Sequence, residues 1–166
     1  SVLITHHDVN RILGNIKIKD ICELIVFFTA KDDYIDAETL GKYPSVKIQG
    51  DFGYLALRFK NIGDAHKRCP FLDSQSGECS IHSFKPMICR TYPFIINDGV
   101  ITRLAHPRCL VPYHPRNEQT RHALRSTLQK AYREFDEYCI KVREWNKKKN
   151  THSPEEFFSQ FFGFPR

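Results

Sequence analysis

Apolar residues recur along this chain with two different periods, and the switches between them divide it into blocks. Val9, Ile12 and Leu13 lie on one helix face that runs up to Asn15, and Thr5 with Asp8 three residues later has the form of a capped helix start. Asp20 can cap a second helix, in which Ile21, Leu24, Ile25 and Phe28 face one way and which carries Cys22. Residues 44–59 alternate instead, and Gly50-Asp51 can turn Val46-Lys47-Ile48 back into Tyr54-Leu55-Ala56-Leu57 as a hairpin. Asn97-Asp98-Gly99 predicts a second hairpin, between Pro93-Phe94-Ile95-Ile96 and Val100-Ile101-Thr102-Arg103-Leu104, projecting from the region around it.

Beyond Pro115 the helical period returns. Leu124, Leu128, Ala131, Phe135, Tyr138, Val142 and Trp145 recur in steps of three, four and seven, which predicts an amphipathic helix from Glu118 to Asn146. Ser153 as cap and Pro154 in the first position start a short helix leading into Phe157, Phe158, Phe161 and Phe162. Those rings need a partner, and packing back on the core is the usual one. The pattern as a whole predicts an α+β protein. Residues 1–115 form a small helical and hairpin domain, and residues 116–166 form a C-terminal helical extension packed on it.

Composition sets the bounds. A chain of 166 residues with 41% hydrophobic content and thirteen Phe can build an ordinary core without a covalent staple. The longest apolar run, Leu24 to Phe28, falls far short of the roughly 20 residues a spanning helix needs, so no membrane partner is expected.

Candidate chemistry concentrates in one turn-rich stretch holding four of the six cysteines: Cys69, Cys79, Cys89 and Cys109. Pro70, Gly77, Pro86, Pro93, Gly99 and Pro107 interrupt it, so the cysteines are expected on loops. A metal or iron–sulfur site, two disulfides, or four unrelated buried thiols would each account for them. Thiolates are soft ligands for zinc and for iron–sulfur clusters, which favours the first. Nine residues separate Cys69 from Cys79 and Cys79 from Cys89, and nineteen separate Cys89 from Cys109. No Cys-x-x-Cys pair of the structural zinc type occurs, and dispersed single cysteines suit a cuboidal 4Fe-4S cluster somewhat better. Cys22 and Cys139 fall in helical patterns and read as core residues. With no leader-like apolar segment and thiolates expected to stay reduced, a cytoplasmic location is predicted.

Cys69-Pro70-Phe71-Leu72, then Cys79-Ser80-Ile81-His82, Lys85-Pro86 and Cys89-Arg90-Thr91-Tyr92-Pro93-Phe94, resembles the second half of the CxxCxxCC (YkgJ-like) cysteine-cluster family of zinc- or iron-chelating domains. Val2-Leu3-Ile4-Thr5 and Asp8-Val9-Asn10-Arg11-Ile12-Leu13 resemble the segment that follows the family's first cysteines, so the likeness runs from residue 1 to about 110. His82 stands where the family usually has Tyr, Lys85 where it usually has Arg, and the CxxCxxCC element itself does not occur in the chain. The resemblance implies chelation of zinc or iron. Because a related cysteine-cluster region occurs in flagellin lysine N-methylases, it also implies a redox or protein-modifying role.

Lys85 and Arg90 are expected beside the site, since four thiolates around zinc or an oxidised cluster leave a net charge of about minus two that cations stabilise. His66, His82 and His106 each lie three residues from a cysteine and are candidate neighbours. No acid, base and nucleophile trio stands out, and no glycine-rich turn of the nucleotide-binding kind is present.

From Arg116 to Lys149 there are ten Lys or Arg against five Asp or Glu, so this basic helix supplies five of the net six positive charges. Arg143, Trp145, Lys147, Lys148 and Lys149 form its densest patch. A solvated face is the simplest account, and RNA, ribosome or acidic-protein contact is the functional alternative, with Trp145 as a stacking ring.

Overall fold

Thr5 opens the first helix as its sequence predicts. In the computed structural model, which describes residues 2–29, 41–61, 67–104, 115, 117–148 and 153–163, strand β1 (Val2–Leu3) leads into helix α1 (His6–Leu13). Thr5 Oγ1 accepts from Asp8 N at 3.3 Å, and Asp8 Oδ2 accepts from Thr5 N at 2.9 Å, a complete capping box. The helix buries Val9 and Ile12.

Asp20 also caps, accepting from Cys22 N at 2.8 Å, but only a single 3-10 turn (Ile21–Glu23) follows. The predicted second helix is corrected here: Ile25–Phe28 is strand β2. A four-residue apolar run does not separate helix from strand by periodicity, and pairing with an available neighbour decides it. That neighbour is β4 (Asp51–Leu57), with Ile25 opposite Leu57 and Phe28 opposite Tyr54.

The first hairpin joins β3 (Val46–Ile48) to β4. Its two-residue turn is Gln49-Gly50, one residue earlier than expected, and both residues have positive φ, at 51° and 89°. Tight hairpins of the primed type need this backbone at both central positions. β4 is the centre of the sheet: its C-terminal half pairs antiparallel with β1 and β2, and its start pairs with β3. A short pairing of β5 (Lys60–Asn61) with β6 (Lys67–Arg68) then leads towards the cysteines.

After helix α2 (Met87–Thr91), the second hairpin forms as expected, β7 (Phe94–Asn97) with β8 (Val100–Arg103), turning at Asp98-Gly99. It lies along helix α3 (Glu118–Asn146) rather than projecting: Phe94 is buried with Leu124 and Leu128, and Arg125 Nη1 donates to Gly99 O at 3.1 Å. Asn117 caps α3 by accepting from Thr120 N at 2.8 Å. The helix has the predicted length, and its later turns bury Tyr138, Val142 and Trp145 in the main core beside Val46, Leu55 and Leu57.

Helix α4 (Pro154–Phe162) starts at Ser153, which accepts from Glu156 N at 3.3 Å. It packs Phe157, Phe158 and Phe161 into the same core, with the Phe27 ring 5.1 Å from Phe157 and 5.5 Å from Phe158. Among the described residues, no helix is long and apolar enough to cross a membrane.

Candidate metal centre

Three of the four clustered cysteines lie in described segments: Cys69 after β6, Cys79 opposite Leu72 in an isolated antiparallel bridge, and Cys89 as the third residue of α2. Cys89 on a short helix corrects the expectation that all the cysteines sit on loops. Pro86 explains the difference, because proline is tolerated just ahead of a helix whose first amides have no internal partner. Cys109 lies outside the described residues, as do His66, His106 and Lys149.

A closed loop brings Cys69 and Cys79 to one mouth. Leu72 N donates to Cys69 O at 3.2 Å, Asp73 N to Glu78 O at 2.9 Å, and Ser80 N to Phe71 O at 2.8 Å. Asp73 Oδ1 accepts from Gln75 N at 2.9 Å and from Ser76 N at 2.7 Å, holding the tip, and these bonds lower the carboxyl's pKa. Ile81 beyond it is buried in the main core, with Phe71, Cys79 and Phe84 packed alongside, so the loop is anchored.

The thiols of this region act on one another. Burial raises the Cys69 pKa and Cys79 adds to the rise, while backbone N–H groups of Phe71 and Leu72 donate towards Cys69 and oppose it. Cys89 is pushed up to about 12, first by burial and then by the fields of Cys69, Asp8 and Cys79, with Lys85 pulling the other way. All three side chains are half-buried, and all three are free thiols. Soft, free sulfur donors from three separate segments, with amides aimed at one of them, have the donor chemistry of a zinc or iron site. Among the described residues, no three His, Cys, Asp or Glu side chains are already gathered at ligand spacing.

The charge of Lys85 acts on Cys89, opposing the rise in its thiol's pKa. Arg90 is engaged otherwise: its Nε donates to Lys85 O at 3.0 Å and its Nη2 to Ser83 O, so its guanidinium shapes the loop that precedes α2. His82 is exposed, its backbone N–H donating to Cys79 O at 3.0 Å. Cys22 is half-buried and packed against the core. Cys139 is only half-buried on α3, short of the core position expected for it.

Sequence reasoning missed Asp8 as a neighbour of this region. Its carboxylate is buried and accepts from Met87 N, the first residue of α2, at 2.8 Å. The Thr5–Asp8 capping box was legible, but a contact spanning 79 positions has no local signature.

The basic patch differs from expectation at its ring. Trp145 is 2% exposed, with Nε1 donating to Lys47 O at 2.9 Å, so it offers no face for a base to stack on. Lys148 Nζ lies 4.7 Å from the Trp145 ring centroid and also bonds to Gln160, whereas Arg143 and Lys147 are exposed.

The described residues form an α+β fold with three free cysteines, Cys69, Cys79 and Cys89, between its two hairpins. Residues 52–139 match the CxxCxxCC family model, described as "Putative zinc- or iron-chelating domain", and the chain belongs to that family. The match takes in all four clustered cysteines and extends into α3, beyond the end of the resemblance read from the sequence, while residues 1–51 lie outside it. No curated protein and no solved structure matches the chain.

Proposed function

We propose that Cys69, Cys79, Cys89 and Cys109 together hold one metal centre, a 4Fe-4S cluster in preference to zinc. The observation that carries the reading is the family match over all four cysteines, together with three free thiols delivered by three separate segments. Ligands spread over separate elements suit a cuboidal cluster, whereas structural zinc favours paired cysteines on one turn. The β7–β8 hairpin lies between Cys89 and Cys109 in the sequence. Leu104 N donates to Pro93 O at 2.9 Å, so the chain leaves the hairpin beside the end of α2.

Lys85 offsets negative charge at Cys89, and Arg90 holds the turn from Ser83 to Lys85 that presents α2. A bound cluster would supply one-electron chemistry and zinc a rigid cross-link, and the redox or protein-modifying role rests on the first. The alternative, a zinc module meeting RNA, the ribosome or an acidic protein through α3, loses its stacking ring with the burial of Trp145.

Anaerobic purification followed by iron, zinc and acid-labile sulfide analysis tests the reading. Iron and sulfide in equal amounts, with absorbance near about 400 nm, are expected for the cluster. Zinc alone would replace the cluster with a structural ion. A metal content unchanged in Cys69→Ser, Cys79→Ser and Cys89→Ser would remove the centre altogether.

A further inference from the structure

We infer that Asp8 is the positioning residue of the Cys89 ligand: it caps helix α2 from a distant part of the chain and thereby sets where the Cys89 sulfur points. The inference rests on the proposed thiol centre and adds to it a residue that carries no sulfur and lies outside the matched stretch.

Helix α2 is five residues long and cannot hold itself in place. The residue ahead of it, Pro86, has no side chain able to accept from the helix amides, and no side-chain cap of its own is made. Asp8 supplies the missing acceptor, taking the Met87 N–H on Oδ1 at 2.8 Å. Cys89 follows two residues later on the same turn, close enough for the Asp8 charge to act on its thiol.

Asp8 is not itself a ligand, because its lone pairs are occupied. An ionised carboxylate offers about four acceptor positions. Oδ1 takes Met87 N at 2.8 Å and Arg11 Nη1 at 2.7 Å, and Oδ2 takes Thr5 N at 2.9 Å and Thr5 Oγ1 at 3.0 Å. The side chain is 3% exposed, so water does not compete for it. Arg11 is held in turn by Glu134 on α3, its Nη2 lying 2.7 and 2.6 Å from the two carboxylate oxygens. One carboxylate thus locks α2 to α1 and, through Arg11, to α3. Residues that orient a metal ligand are commonly worth ten- to a hundredfold in affinity without touching the metal.

The test compares Asp8→Ala with Thr5→Ala. Both lose the α1 capping box, but only the first frees the Met87 amide. Cobalt(II) is titrated into the reduced, metal-free chain under anaerobic conditions, reading affinity and the thiolate-to-cobalt charge-transfer absorption per bound ion. Asp8→Ala is expected to bind about tenfold or more weakly than Thr5→Ala. Its charge-transfer intensity should fall by about a quarter, the share of one thiolate in four, as in Cys89→Ser. Equal affinity and intensity in Asp8→Ala and Thr5→Ala overturn the positioning role while Cys89→Ser still shows its loss. A Cys89→Ser chain that keeps the parent's spectrum removes the thiol-centre reading, and the inference with it. Should Asp8→Ala not fold, Asp8→Ser carries the test: its shorter hydroxyl cannot reach the Met87 amide that Asp8 Oδ1 accepts at 2.8 Å, and a cobalt affinity equal to that of Thr5→Ala overturns the inference.

Discussion

Trp145 Nε1 donates a hydrogen bond to the Lys47 carbonyl oxygen at 2.9 Å, joining the last turn of α3 to the strand β3. Asn146 completes the junction, accepting from Lys47 N at 2.8 Å and donating to Ser45 O at 2.8 Å. A helix end thus satisfies backbone groups of β3 that would otherwise be open to pairing with another chain. The Trp145 ring also stands edge-on to Phe157 and Phe161, at 5.2 and 5.9 Å, which binds α4 into the same core.

Trp145→Ala is therefore expected to cost about 3–5 kcal/mol, the usual range for deleting a large buried ring. Trp145→Phe retains much of the packing but leaves the Lys47 carbonyl without its donor, a loss of about 1–3 kcal/mol. Denaturant unfolding of the two variants at equal metal content measures both. A cost near zero for Trp145→Ala would mean that the ring is not in the core.

Arg11 sits between Asp8 and Glu134, with side chains 17%, 3% and 12% exposed. Replacing Arg11 by Met leaves two carboxylates without their shared cation and should destabilise by about 3 kcal/mol. The double variant Arg11→Met, Glu134→Leu should lose less than the two single variants together, because it removes one of the two stranded carboxylates along with the cation. Additive losses in a double-mutant cycle would show that the pair is not coupled.

His6 is 2% exposed, its Nδ1 has no hydrogen-bond partner among the described residues, and its pKa is lowered from 6.5 to about 3 by burial, then by His7 and Lys141. Below pH 6.5 the unfolded chain takes up a proton at this position that the folded chain refuses, so stability falls as pH falls. The loss is about 1.4 kcal/mol per pH unit between pH 6 and 4. Unfolding curves at those pH values, with His6→Phe as reference, should show the parent losing stability more steeply. Parallel slopes would count against a neutral buried imidazole.

Cys69 and Cys89 have raised pKa values, Cys89 to about 12, so both are protonated in the metal-free chain at pH 7. Metals bind thiolates, and loading should expel one proton from each of these two residues and tighten as pH rises. Calorimetric titration with zinc in two buffers of different ionisation enthalpy reads the number directly. No net proton release would contradict coordination by these sulfurs.

The elements that formed as expected are those encoded within one turn of chain. The Thr5–Asp8 and Ser153–Glu156 boxes, the Asp98-Gly99 turn and the bounds of α3 follow from capping groups, backbone freedom and a 3.6-residue period, all of which act between near neighbours. The cysteine clustering was legible for the same reason, as a matter of spacing and composition, and it pointed to the family that the match confirms. Ile25–Phe28 was not, because four apolar residues become a strand only when β4 lies beside them. Trp145 had the apolar periodicity of a core position and the charged neighbours of a surface one, and only the packing of α4 against α3 placed the ring inside. The same holds for Asp8, whose carboxylate satisfies both the Thr5 amide at the start of its own helix and one 79 positions away. Local chemistry acts over three or four residues and leaves a pattern that can be read. Partners brought together by folding leave none, because their separation in the chain carries no information about their separation in space.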